Sequence, residues 1–169
     1  MASESARMAS AAEARFRIDA SNSKPRAIKI IALDRASERV VRRLAQSTWH
    51  RASFFTASAF AGAPQPSGSF SMTGWLSDIA GRTKDLMDEV GSADLVVMVA
   101  TAGESASAAA IIGEAASAKR VNTTGLIIGA GASDEALSKT LGQLRPWSLM
   151  LVIASSDDYI EDMLVALRA

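Results

Sequence analysis

Five consecutive apolar residues, Leu95-Val96-Val97-Met98-Val99, constrain this chain more than any other feature. A strand with one wet face alternates apolar and polar side chains, whereas a strand covered on both faces does not. The run therefore predicts a central strand of a sheet with helices on either side. It is bounded by Asp94 and by a tight turn at Thr101-Ala102-Gly103, after which a helix opens in alanine and serine. Ser105 or Ser107 can cap that helix, and the small side chains let its axis approach the sheet closely. Strand, glycine turn and helix N-terminus together also make an anion site, because unpaired N–H groups converge where the helix dipole is positive. An ordinary strand-to-helix connection has the same pattern in parallel α/β folds, so both readings stand.

Similar signals recur along the chain. Residues 1–26 are rich in alanine and serine, with charges of both signs. A helix over Glu4–Ile18 and a linker over Asp19–Pro25 are expected there, the whole forming an extension to a domain at 27–169. Glu4, Glu13 and Asp19 argue against a transit peptide. Ala27–Leu33 predicts the first strand, followed by Asp34 and Ser37 as caps of a helix with Val40, Val41 and Leu44 on one face. Arg42 and Arg43 belong to its solvated face. Arg51–Ala57 predicts a second strand, and residues 59–74 an irregular loop with a short strand near Ser69–Met72. The spacing of Leu76, Ile79, Thr83, Leu86 and Val90 predicts a helix over Trp75–Val90, closed by Gly91. Thr123–Ile128 predicts a buried strand ending at Gly129-Ala130-Gly131. A helix then starts at Ser133, with Leu137, Leu141 and Leu144 inward, and is stopped by Pro146. Leu149–Ile153 predicts the last strand, and Ser155–Asp158 the caps of a final helix facing inward through Ile160, Met163, Leu164 and Leu167. Strands alternating with helices give an α/β class, a three-layer α/β/α arrangement round a mainly parallel, doubly wound sheet.

Composition narrows the function. Eighteen basic and eighteen acidic residues balance to a formal net charge of zero, so no electrostatic argument supports nucleic-acid binding. The absence of cysteine excludes disulfides, thiolate metal sites and cysteine nucleophiles from these 169 residues. No apolar run is long enough to span a bilayer, and no hydrophobic signal core is seen, so a cytoplasmic protein is expected.

The second half of the chain resembles the nucleotide-binding domain of the cell-division GTPase FtsZ and its tubulin relatives. The matching residues are Ala93-Asp94-Leu95-Val96, Val99, Thr101-Ala102-Gly103 and Ala109–Ala116, against family patterns A-D-[ML]-V-F-V-T-A-G and A-A-P-V-I-A-E-I-A. The Thr124–Ile128 and Leu151–Ile153 strands fall in corresponding order. The resemblance implies a Rossmann-like, FtsZ/tubulin N-terminal-like sheet. The family's phosphate loop, G-G-G-T-G-[TS]-G, has no counterpart: Glu104-Ser105-Ala106-Ser107 stands in its place, shorter, without glycine and with an acidic residue. A second glycine-rich loop of the family is replaced by Asp34-Arg35-Ala36-Ser37. The chain also stops at Ala169, before the family's central helix and catalytic acidic loop. The implied reading is a non-catalytic binding or assembly module without GTPase equipment and with no cofactor expected. Its partner would be a protein, including a second copy in a homo-oligomer.

If the strand order follows the family's 3-2-1-4-5-6, the sheet reverses beside its first strand. Asp34, Arg35 and Ser37 then face Thr101, Ala102, Gly103, Ser105 and Ser107 across the crevice where such folds bind ligands. Arg35 and the serine hydroxyls could hold a small anion, GTP or another phosphate ligand; equally, these groups cap helices. A small-anion or nucleotide-binding protein or enzyme is thus the alternative function. Other candidates carry less. GAGASD at 129–134 lacks the third glycine of a dinucleotide fingerprint. His50, the only histidine, has no second ligand beside it for a metal. Asp157 and Asp158 are adjacent at a helix start and do not converge. Trp49, Trp75 and Trp147 sit near element ends, and Phe54, Phe55 and Phe60 suggest an exposed surface for self-association.

Overall fold

The computed structural model describes residues 24–58 and 75–169. Its elements are β1 (Ile28–Ala32), α1 (Arg35–Leu44), β2 (Ala52–Thr56), β3 (Trp75–Asp78), β4 (Thr83–Asp85), α2 (Leu86–Gly91), β5 (Leu95–Thr101), α3 (Ala108–Lys119), β6 (Asn122–Ile128), α4 (Asp134–Leu144), β7 (Met150–Ala154) and α5 (Asp157–Ala166), with a 3-10 turn at Arg145–Trp147. The strands form one sheet in the order β4-β3-β2-β1-β5-β6-β7. β2, β1, β5, β6 and β7 run parallel, and β3 and β4 add an antiparallel hairpin at one edge.

The two faces of the sheet carry separate cores, as period-2 alternation requires. On one face Ile31, Leu33, Val96, Met98 and Ile127 pack with Leu86 and Val90 of α2, Ala109, Ile112 and Ala116 of α3, and Leu144 of α4. On the other, Ile28, Ile30, Val97, Val99 and Leu126 pack with Val41 and Leu44 of α1 and Ile160 and Leu164 of α5. The result is the expected three-layer, doubly wound α/β/α fold. Val96 to Val99 have no exposed surface, which is why their run shows no alternation. Each fully buried aliphatic side chain of this kind contributes ~1.5–3 kcal/mol.

The segment Trp147-Ser148 packs closely against α3 and β6 because of two glycines. A Cβ on Gly113 would sit 2.6 Å from the Trp147 Cβ, and one on Gly125 of β6 would sit 2.5 Å from the Ser148 Oγ. Both positions need an absent side chain, whatever their backbone angles.

The structure corrects the helix expected over Trp75–Val90. A hairpin occupies its first half, and α2 is confined to Leu86–Gly91. Asp78 accepts the Arg82 N–H at 2.9 Å and its Nε at 2.7 Å, and Gly81 turns the chain at φ +82°. Leu76 and Ile79 pack into opposite cores, so their helical spacing was coincidental. Phe54 and Phe55 are 9% and 4% exposed, and so do not form the apolar surface expected of them. Phe60, the strand near Ser69–Met72 and residues 1–23 lie outside the described residues. Lys24 to Arg26 are exposed, and the Arg26 N–H donates to the Arg168 carbonyl at 3.0 Å.

Candidate functional site

The sheet reverses beside β1: the chain leaves β1 for β2 on one side and β5 for β6 on the other. The C-terminal ends of β1 and β5 therefore form the switch point at which doubly wound sheets take ligands. The candidate ligand residues of the sequence lie at these two ends: Asp34 after β1 with Arg35 and Ser37 in the first turn of α1, and Thr101 closing β5 with Ala102, Gly103, Ser105 and Ser107 after it.

Asp34 fills the space between them. Its Oδ1 accepts the Ser37 N–H at 2.8 Å and its Oδ2 accepts the Thr101 N–H at 2.8 Å. Ser37 answers with its hydroxyl, which accepts from the Asp34 N–H at 3.2 Å and donates to the Asp34 carbonyl at 2.9 Å. This is a capping box for α1 that also ties the end of β1 to the end of β5. Asp34 is 6% exposed and Ser37 fully buried. A second carboxylate makes the matching tie at the other end of the same strand pair, where Asp94 Oδ2 accepts the Ala27 N–H at 2.7 Å.

The 101–107 turn is bonded to α4. Gly103, at φ +89°, donates to Thr140 Oγ1 at 2.9 Å and to the Ala136 carbonyl at 3.0 Å. The Ala106 N–H donates to Gln143 Oε1 at 2.7 Å, and Lys139 Nζ donates to the Gly103 carbonyl at 3.0 Å. The Ala102 and Glu104 N–H groups go to the Ile128 and Thr101 carbonyls. Thr140 is fully buried, and its hydroxyl lies 3.3 Å and 3.2 Å from the Thr101 and Glu104 carbonyls, either of which its one proton can serve. The main-chain donors of Thr101, Ala102, Gly103, Glu104 and Ala106 thus already have acceptors inside the protein.

The structure therefore brings Asp34, Ser37 and Thr101 together, and turns Ala102 and Gly103 towards β6 and α4. Arg35, Ser105 and Ser107 are exposed. Ser107 occupies the N-cap position of α3, but its hydroxyl accepts from Ser105 Oγ at 3.3 Å and bonds no helix N–H, contrary to the expected cap. Thr101 Oγ1 is buried and has no hydrogen-bond partner among the described residues. Ser156, not Asp157 or Asp158, stands at the N-cap of α5, and Asp157 instead pairs with Arg43 of α1. The solvated face of α1 is thus engaged: Arg42 pairs with Glu38 at 2.7 Å.

A second polar cluster stands at the end of β2. Glu38 Oε2 accepts from Ser58 Oγ at 2.8 Å and from Thr56 Oγ1 at 3.3 Å. Burial pushes the Glu38 carboxyl up, but the bonds from Ser58 and Arg42, the Arg42 charge and the Thr56 bond outweigh it and hold the group below its usual value. In the hairpin, the Arg82 main-chain N–H, then its side chain and charge, lower Asp78 against a smaller opposing effect of burial.

Sequence reasoning missed Thr140, Gln143 and Lys139, which hold the turn. The signal was Thr140, a polar residue set in the inward stripe of Leu137, Leu141 and Leu144. A buried threonine on such a face needs a partner, and the nearby turn supplies it. Among the described residues, no helix is long and apolar enough to cross a membrane. Neither the protein-family models nor the curated protein sequences give a match to this chain.

Proposed function

We propose that this domain is a non-catalytic binding or assembly module on a doubly wound sheet of the FtsZ/tubulin kind, its partner a protein and its compartment the cytoplasm. One observation carries the reading: the switch-point donors of Thr101, Gly103 and Ala106 are satisfied internally, by Asp34 on one side and by Thr140 and Gln143 on the other. A triphosphate entering there would displace these bonds and meet the carboxylates of Asp34 and Glu104, with Arg35 of α1 and Lys139 of α4 the nearby cations. The balanced net charge favours a protein partner over a nucleic acid. Purified chain is expected to bind no GTP saturably and to release no phosphate from it. GTP hydrolysis that is lost on changing Thr101 or Ser107 would overturn the reading.

The second reading, a small-anion-binding protein, draws on the exposed Arg35, Ser105 and Ser107 and on the buried Thr101 hydroxyl, which has no partner among the described residues. Native mass spectrometry separates the two, since a co-purifying anion released by Arg35→Ala favours the second.

A further inference from the structure

The two edges of the sheet are unequal. β4 ends one side with Thr83-Lys84-Asp85, a short charged strand of the kind that discourages further pairing. β7 ends the other with Met150-Leu151-Val152-Ile153-Ala154, which has no charge, proline or glycine. Among the described residues its ladder runs to β6 alone. Leu149, just before it, is 78% exposed, Met150 43% and Ile153 48%.

The flank of α5 beside this edge is apolar too. Asp157 pairs with Arg43 and Glu161 with Ser47, so these acidic groups mark the flank turned towards α1. Ile160 and Leu164 mark the flank on the sheet. At 3.6 residues per turn, Tyr159 and Met163 then fall on the remaining side, towards β7. They share a sheet face with Met150 and Val152, because Ala154 packs under α5 and alternate residues point the same way.

We propose that β7 pairs antiparallel with β7 of a second copy of this chain, about a two-fold axis beside Val152, joining two sheets into one. This rests on the assembly reading above and names its surface and partner. The strand is self-complementary in that arrangement: Met150 meets Ala154 of the second copy, Leu151 meets Ile153, and Val152 meets itself, so no charge opposes a like charge. Tyr159 and Met163 approach their own mates on one face. Asp157 and Glu161 are turned to α1, and a net charge of zero adds no long-range repulsion between copies. Pairing would satisfy the outer main-chain groups of β7 and cover Leu149, Met150 and Ile153 in one step.

Sedimentation velocity of the full chain over a concentration series tests this. The wild type is expected to dimerise, and Ile153→Lys and Met150→Lys each to weaken the dimer at least about tenfold by placing an ammonium in the joint. Because the chain has no cysteine, Val152→Cys provides a check that does not depend on either lysine variant folding. Mild oxidation should link two copies through it, whereas Val165→Cys, 63% exposed on α5, should stay unlinked. A chain monomeric at every concentration, its edge left to a strand of another protein, overturns the proposal. So does a dimer that survives both lysine variants and gives no link at Val152. Monomers without GTP turnover would sink this pairing and leave the non-catalytic reading standing; dimers with GTP turnover would do the reverse.

Discussion

Asp34 receives main-chain N–H groups from both loops of the switch point, and each bond involves a buried carboxylate. Such bonds are individually strong, and their loss leaves the donors unsatisfied. Asp34→Ala should therefore lower stability by about 3 kcal/mol in urea unfolding, counting the cap and the tie to β5 together. Glu38 gives a different signature. Its carboxyl is held below the ordinary glutamate value, so the folded state binds its proton less readily than the unfolded chain does. The stability it contributes is present above that value and lost as pH falls through the lowered folded one. The difference in unfolding free energy between wild type and Glu38→Gln should be flat near neutrality and shrink on acidification below about pH 4.5. Arg120, which ends α3 at φ +56°, holds a conformation that glycine adopts without strain. Arg120→Gly should stabilise the protein by roughly 1 kcal/mol, read as a higher urea midpoint.

The helices show where sequence periodicity succeeds and where it fails. Val41, Leu44, Ile160 and Leu164 were legible because one helix face meets one core, and the spacing records it. The spacing from Leu76 to Val90 was equally regular, yet Gly81 and the Asp78–Arg82 clip make a hairpin there. Local turn chemistry outweighed the period, and Gly81 was the available warning. Gly113 illustrates what a single sequence does not disclose: its need for no side chain comes from Trp147, thirty-four positions away. Gly113→Ala should cost about 1–3 kcal/mol by overpacking. Gly142→Ala, in an exposed turn of α4 with nothing within 4 Å of its new methyl group, should instead gain roughly 0.5–1 kcal/mol. Paired thermal melts of the two variants check the contrast.

At the scale of the molecule, the layered parallel sheet could be read from Leu95–Val99 and the alternation of strands with helices. The antiparallel hairpin at its edge could not, because it mimics a helix in its apolar spacing. The candidate site was legible in position only. Asp34, Ser37 and Thr101 were placed facing one another by their location at the ends of β1 and β5, but the bonds from Thr140 and Gln143 cross from an element that follows by some forty residues. Those bonds decide the account, since they take the Gly103 and Ala106 donors that a phosphate seated on the turn would meet. Its most direct test is equilibrium titration of the purified full chain with GTP, followed by assay of phosphate release. The account predicts no saturable binding and no release. Saturable binding with turnover, both abolished by Thr101→Val or Ser107→Ala, would contradict it.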